Sequence, residues 1–88
     1  MRKNNRTKER RPFQKECILF NEIGLIEAQT VDISIMGLGV KADSTLPFKI
    51  GYQLTAFIPN MKAYQAKLIW IEKDINKTTR LGLKFVPA

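Results

Sequence analysis

From Phe13 onward the apolar side chains come in short runs rich in β-branched and aromatic residues, cut at strand-like intervals by Gly, Pro, Asn and Asp. The first run is Cys17 to Phe20, closed by Asn21-Glu22-Ile23-Gly24, where Gly24 is expected to supply the positive φ of a hairpin connection. Ile26 to Ile33 alternates imperfectly. Gly37 to Ala42 alternates well, with Leu38, Val40 and Ala42 on one face and Gly39 and Lys41 on the other. Asp43 to Gly51 carries the turn formers Asp43, Ser44, Pro47 and Gly51 and reads as a loop before a strand from Gln53 to Ile58, which Pro59-Asn60 ends. Tyr64 to Ile71 sets Tyr64, Ala66, Leu68 and Trp70 on one face, and Leu81, Leu83 and Phe85 face away from Gly82 and Lys84. The polar stretch Asp74 to Thr79 joins these last two strands as an antiparallel pair.

No run shows a helical period. About six short strands in some 70 residues predict an all-β fold, a small six-stranded antiparallel β-barrel closed enough to protect its edges. On this pattern Trp70, Phe85 and Phe57 are expected to be core aromatics and Cys17 a buried small apolar side chain. The 88 residues suffice for one domain with one modest core. Met1 to Pro12 has no apolar side chain after the first methionine and is predicted to be a flexible arm, leaving residues 13–88 for the barrel.

Charge sharpens this division. Of the net charge of +7, residues 1–15 hold seven cations against Glu9 alone, a net +6, which leaves +1 for residues 16–88. A concentrated basic segment favours a phosphate-bearing partner, whether nucleotide, nucleic acid or anionic surface; its plainer reading is a solvated basic tail. With one cysteine and no histidine, neither an intramolecular disulfide nor a Cys/His zinc site can form. No apolar stretch approaches the roughly 18 residues of a membrane span, and the basic start lacks the apolar core of a secretory signal. The expected setting is the cytoplasm, without membrane insertion. Nor is there catalytic machinery: no histidine base, no Gly-x-Ser-x-Gly, no Gly-rich phosphate loop and no obvious carboxylate pair. The expectation is a binding domain, not an enzyme, with no cofactor and no metal.

Two constellations carry candidate chemistry. Arg6-Thr7-Lys8-Glu9-Arg10 places two arginines four apart, and Asp32-Ile33-Ser34-Ile35-Met36-Gly37 forms an Asp-x-Ser-x-x-Gly spacing at a strand end. Guanidinium groups match phosphate oxygens or the O6/N7 edge of guanine and can stack on a base. An ionised Asp32 accepts the N–H donors of a guanine, Ser34 donates or accepts, and Gly37 permits close backbone approach. Each motif has a local alternative. Arg2 and Arg6 repeat the arginine spacing, and Asp-x-Ser-x-x-Gly is by itself more often a turn, with Asp32 and Ser34 bonded to nearby backbone and Gly37 at positive φ.

The order of these features does more than either alone. A basic arm with Arg-x-x-x-Arg, a first strand, Asp-x-Ser-x-x-Gly beginning 22 residues after Arg10, and a barrel body together resemble the PilZ domain family. The likeness extends to Arg10-Arg11-Pro12-Phe13 leading into the first strand, to Ala66-Lys67-Leu68-Ile69-Trp70, and to Leu81-Gly82-Leu83-Lys84-Phe85. It implies a six-stranded barrel that binds the bacterial second messenger cyclic di-GMP, often as an intercalated pair of ligand molecules, with the arm wrapping across the barrel. By motif position Arg6 and Arg10 are the implied arm ligands, Asp32, Ser34 and Gly37 the barrel-side contacts, and Arg11 an auxiliary. The expected output is a conformational change, in which the ligand orders the arm and an as yet unidentified protein effector reads the altered surface; the family's usual settings are motility, surface attachment and exopolysaccharide export.

Three departures from the family pattern stand out. The chain stops at Ala88 where many members continue into a helix that caps the barrel, so an apolar opening covered by self-association or a docked partner is expected. Asn5 precedes the first motif arginine where a basic or apolar residue is common, and Met36 stands where glycine is frequent. A reading from another class is a sequence-independent nucleic-acid-binding barrel. It is disfavoured because the excess charge falls in the arm.

Overall fold

The computed structural model describes residues 9–43, 45–73 and 77–87. Seven strands form one antiparallel sheet: β1 (Arg11–Pro12), β2 (Glu16–Phe20), β3 (Leu25–Ile33), β4 (Gly37–Ala42), β5 (Gln53–Phe57), β6 (Ala63–Lys73) and β7 (Thr79–Phe85). Their order is β1-β3-β2-β5-β6-β7-β4, and β4 returns to pair with β3, closing six strands into the barrel with β1 as an addition along β3. Closure leaves the six barrel strands without an exposed edge.

Alternation builds the interior. Cys17 and Leu19, Ile26 and Ala28, Leu38, Val40 and Ala42, Leu54 and Ala56, Ala66 and Leu68, and Leu81 and Leu83 all point inward and are buried. Large and small side chains alternate, as a narrow barrel requires. The connection between β4 and β5 contributes Phe48 to this core, with Leu46 and Tyr52 packed against it. Gly51, at φ 98, turns the chain so that its N–H meets the Leu68 carbonyl at 2.7 Å and continues the β5–β6 ladder.

Several expectations are corrected. Gly24 does not adopt positive φ. The β2–β3 connection is instead held by Asn21, whose Oδ1 accepts from Ile23 N at 2.7 Å and Gly24 N at 3.3 Å, an Asx turn. Phe57 and Trp70 are not core residues, being 40% and 43% exposed, while Phe85 is half-buried and stacks on Tyr64 with centroids 5.0 Å apart. Phe57 faces outward because Leu54 and Ala56 take the inward positions of β5. Trp70 faces outward because β6 is irregular, as described below. Cys17 is buried as expected, and burial pushes its thiol up to about 11. Of the Asp74–Thr79 connection, residues 74–76 lie outside the described residues.

The two residues that close the predicted arm are part of the sheet. Arg11 pairs with Ile33 and Pro12 with Asp32. Behind them Phe13 N donates to Val31 O at 3.0 Å. Thr30, 1% exposed, takes Lys15 N on its hydroxyl at 2.8 Å and donates to Phe13 O. A buried hydroxyl with both capacities used ties the Phe13–Lys15 segment to the barrel wall.

Candidate functional site

Two β-bulges decide what faces outward. In β3 the inward positions Ile26, Ala28 and Thr30 would continue to Asp32 in a regular strand; a register shift after Thr30 leaves Val31 unopposed and moves Asp32 to the outer face. In β6 the inward positions Ala66 and Leu68 would continue to Trp70; a shift after Leu68 leaves Ile69 unopposed and moves Trp70 outward. Both displaced residues belong to one row across four strands, because Asp32 pairs with Gly39, Gly39 with Gly82, and Gly82 with Trp70.

The glycines in the middle of this row are needed by the residues at its ends. A Cβ on Gly39 would stand 2.5 Å from Asp32 Oδ1, and one on Gly82 would stand 2.1 Å from Trp70 Nε1. The carboxylate therefore leans over one glycine and the indole over the other. Both glycines are buried beneath these two side chains, so the outer surface of the row is an acceptor beside an aromatic plane, which suits a flat heteroaromatic group with N–H donors at one edge.

Arg10 completes the carboxylate end. Its Nε donates to Asp32 Oδ1 at 2.9 Å and its Nη2 lies 2.7 Å from the same oxygen. With both contacts on Oδ1, Oδ2 remains an acceptor, and among the described residues it has no protein partner. The pair is 45% and 30% exposed, and pairs of this kind contribute only about 0.2–1 kcal/mol to stability. Its consequence is orientation: the guanidinium is held at the Asp32 end of the row.

The other sequence candidates divide. Arg6 lies outside the described residues. Arg11 is exposed on β1, opposite Ile33. Ser34 and Gly37 serve the β3–β4 connection: Ser34 Oγ accepts from Met36 N at 3.1 Å and Ser34 N donates to Gly37 O at 2.9 Å. Gly37 is required for a reason other than turn geometry. Its φ is not positive, but a Cβ there would be 1.9 Å from the carbonyl oxygen of Leu83. So Arg10 and Asp32 are brought together, while Ser34 and Gly37 shape the segment that carries Asp32 into β4.

Trp70, Gly39 and Gly82 were missed in the sequence, as were the outward cations on either side of the row, Lys67 and Lys84 on one side and Lys41 and Arg80 on the other. A signal for some of them was present. Arg80-x-Gly82-x-Lys84 and Gly37-x-Gly39-x-Lys41 each place glycines and cations on one strand face. A groove of about 890 Å³ lies elsewhere, along β2 and β3. It holds Glu16, Glu27 and Asp43 against the single cation Lys41, which makes it a poor anion site. Among the described residues no cluster of His, Cys, Asp or Glu could hold a metal ion, and no helix is long and apolar enough to cross a membrane.

The chain is similar to known proteins in family sequence pattern and in fold. The sequence model of the PilZ domain matches residues 4–88. No curated protein matches the chain in sequence. Among solved structures, the inhibitor of motility MotI/DgrA of Bacillus subtilis superposes with a TM-score of 0.79 at 19% identity, over 99% of this chain and 44% of its own. YcgR from Escherichia coli, solved in complex with c-di-GMP, superposes with a TM-score of 0.62 at 19% identity, over 92% of this chain and 38% of its own. The chain thus spans less than half the length of either structure.

Proposed function

This chain belongs to the PilZ domain family, and we propose that it is a receptor domain for cyclic di-GMP that acts through protein contacts and not by catalysis. The observation that carries the reading is the pairing of Arg10 with Asp32 at the end of the Asp32–Gly39–Gly82–Trp70 row. It supplies a guanidinium for a phosphate or a guanine edge and a free carboxylate oxygen for guanine N–H donors, with the half-exposed indole of Trp70 further along the same row as an aromatic surface. That the YcgR structure holds c-di-GMP supports the choice of ligand.

In this reading Arg10 is pre-set and Arg6, four residues earlier on the arm, closes on the ligand from above. Ser34 and Gly37 hold Asp32 at the strand end, and Arg11 is auxiliary. Closure of the arm changes the surface next to Ile35 and Met36, two apolar side chains that are 73% and 40% exposed at the β3–β4 turn, and a protein effector reads that surface. The described body has no spanning helix, and the reading places the domain in the cytoplasm, with motility as a regulated process of the kind named for MotI/DgrA.

Isothermal titration with cyclic di-GMP, with GTP and a short single-stranded DNA as controls, tests it. Binding confined to cyclic di-GMP is expected. Arg6→Ala, Arg10→Ala and Asp32→Ala should each weaken it by about 1.5–3 kcal/mol, the range for hydrogen bonds to charged groups, and Arg10→Ala should cost the fold less than about 1 kcal/mol. Heat from the DNA alone, or wild-type affinity in Arg10→Ala, overturns the reading.

A further inference from the structure

Among the described strand pairings only two set like charges directly opposite one another: Lys67 against Lys84 between β6 and β7, and Lys41 against Arg80 between β4 and β7. Cross-strand partners stand with Cβ atoms about 5 Å apart, and like charges so placed destabilise a sheet. All four side chains are exposed and point outward. Glu72 also pairs with Arg80, yet no ion pair forms between them; among the described residues Arg10–Asp32 is the sole salt bridge.

The placement of these pairs is not scattered. On β7, Gly82 lies midway between Arg80 and Lys84, two residues from each, and on β4 Gly39 lies two residues from Lys41. Two residues along a strand is about 7 Å. One like-charged pair therefore borders the Trp70–Gly82–Gly39–Asp32 row on each side, within reach of a lysine or arginine side chain. Although residues 16–88 carry a net charge of only +1, four of their eight cations flank this row on the outer face of β4, β6 and β7, with Glu72 beside them.

We propose that Lys67, Lys84, Lys41 and Arg80 form a strand-borne anion clamp, which takes the phosphate groups of a nucleotide whose base lies against Asp32 and Trp70. The proposal rests on the cyclic di-GMP reading above and adds to it a second set of phosphate contacts, fixed on the barrel wall and independent of the arm arginines. Repulsion within each pair is present in the free protein and relieved when a phosphate enters. The ligand thus gains from removing an unfavourable term as well as from making new bonds.

This gives binding and stability opposite signs, which a merely structural role for these residues would not produce. In the full chain, Lys84→Gln and Arg80→Gln are titrated with cyclic di-GMP and melted without ligand. Each variant should bind about tenfold more weakly than the wild type and, free of ligand, melt roughly 1–5 °C higher. Lys84→Arg, which keeps the charge, should retain wild-type affinity. If the wild type binds cyclic di-GMP and both glutamine variants bind it equally well, the clamp is refuted and the receptor reading stands. A wild type that does not bind cyclic di-GMP removes the receptor reading and the clamp with it. Loss of single-stranded DNA binding alone in the variants would assign the cations to nucleic acid and overturn the proposal.

Discussion

Gly37→Ala should destabilise the barrel by about 3–5 kcal/mol, although Gly37 belongs to the motif that points to a ligand. The methyl group would sit 1.9 Å from Leu83 O, 2.9 Å from Leu83 C and 3.0 Å from Lys84 Cα, all of them backbone atoms of β7. A carbon meets a carbonyl oxygen comfortably at about 3.3 Å, so β4 and β7 must part by more than an ångström at this point. Two hydrogen bonds lie in the disturbed stretch, Ser34 N to Gly37 O at 2.9 Å and Phe85 N to Met36 O at 2.8 Å. Losing both costs about 2 kcal/mol, and the overpacking adds roughly 1–3 kcal/mol. A domain of this length has a total stability of roughly 4–13 kcal/mol, so the variant stands near the edge of folding. Urea denaturation followed by circular dichroism, extrapolated linearly with the slope compared to the wild type, measures the loss. A loss below about 1 kcal/mol would show that β4 and β7 can separate at little cost, and the steric argument would fail. The outcome also governs interpretation: if the barrel is weakened, loss of ligand binding in this variant does not identify Gly37 as a contact.

Two further predictions use the same geometry. Gly82→Ala places a methyl 2.1 Å from Trp70 Nε1, so the only tryptophan of the chain must swing into water and its emission should move to the red, with stability within about 1 kcal/mol of the wild type; an unshifted spectrum refutes the packing of indole on glycine. Burial raises the Cys17 thiol from 9.0 to about 11, so the folded state keeps a proton that the unfolded state releases. Stability should then be level below pH 9 and fall between pH 9 and 11 relative to Cys17→Ala, read as a narrowing gap in urea midpoint; a constant gap contradicts the assignment.

How much of this was legible in the sequence depends on whether a strand is regular. Gly37–Ala42 is regular, and its alternation placed Leu38, Val40 and Ala42 inside with both boundaries correct. The lead-in Arg10-Arg11-Pro12-Phe13 selects Arg6 and Arg10 over Arg2 and Arg6 for the Arg-x-x-x-Arg spacing; Arg10 meets Asp32, while Arg6 lies outside the described residues. Leu68-Ile69-Trp70 was misread because nothing in three apolar residues announces that one of them is unopposed. A bulge is a property of two strands, and only β7, continuing from Leu83 to Gly82, shows that Ile69 has no partner. The same reason hid the row itself, whose four members come from four strands. Gly24 failed differently: the sequence offered two residues able to make the turn, and the side chain of Asn21 took the role given to glycine.

The two bulges also explain how a barrel this small carries a polar site on its wall without weakening its core. In regular strands Asp32 and Trp70 would point inward, the first bringing an ionised carboxylate into an apolar interior, a costly burial unless it is paired. One inserted residue in each strand moves them out, and the next apolar residue on each strand, Ile33 and Ile71, returns to pack against the core. The insertion therefore changes the parity of the strand once, and the residue at the change becomes part of the site while the hydrophobic alternation resumes beyond it. Because the two insertions flank the same cross-strand row, one on each side, Asp32 and Trp70 emerge facing the same pair of glycines. The core and the candidate site are thus set by the same two residues, Val31 and Ile69, neither of which has a strand partner opposite it at the shift.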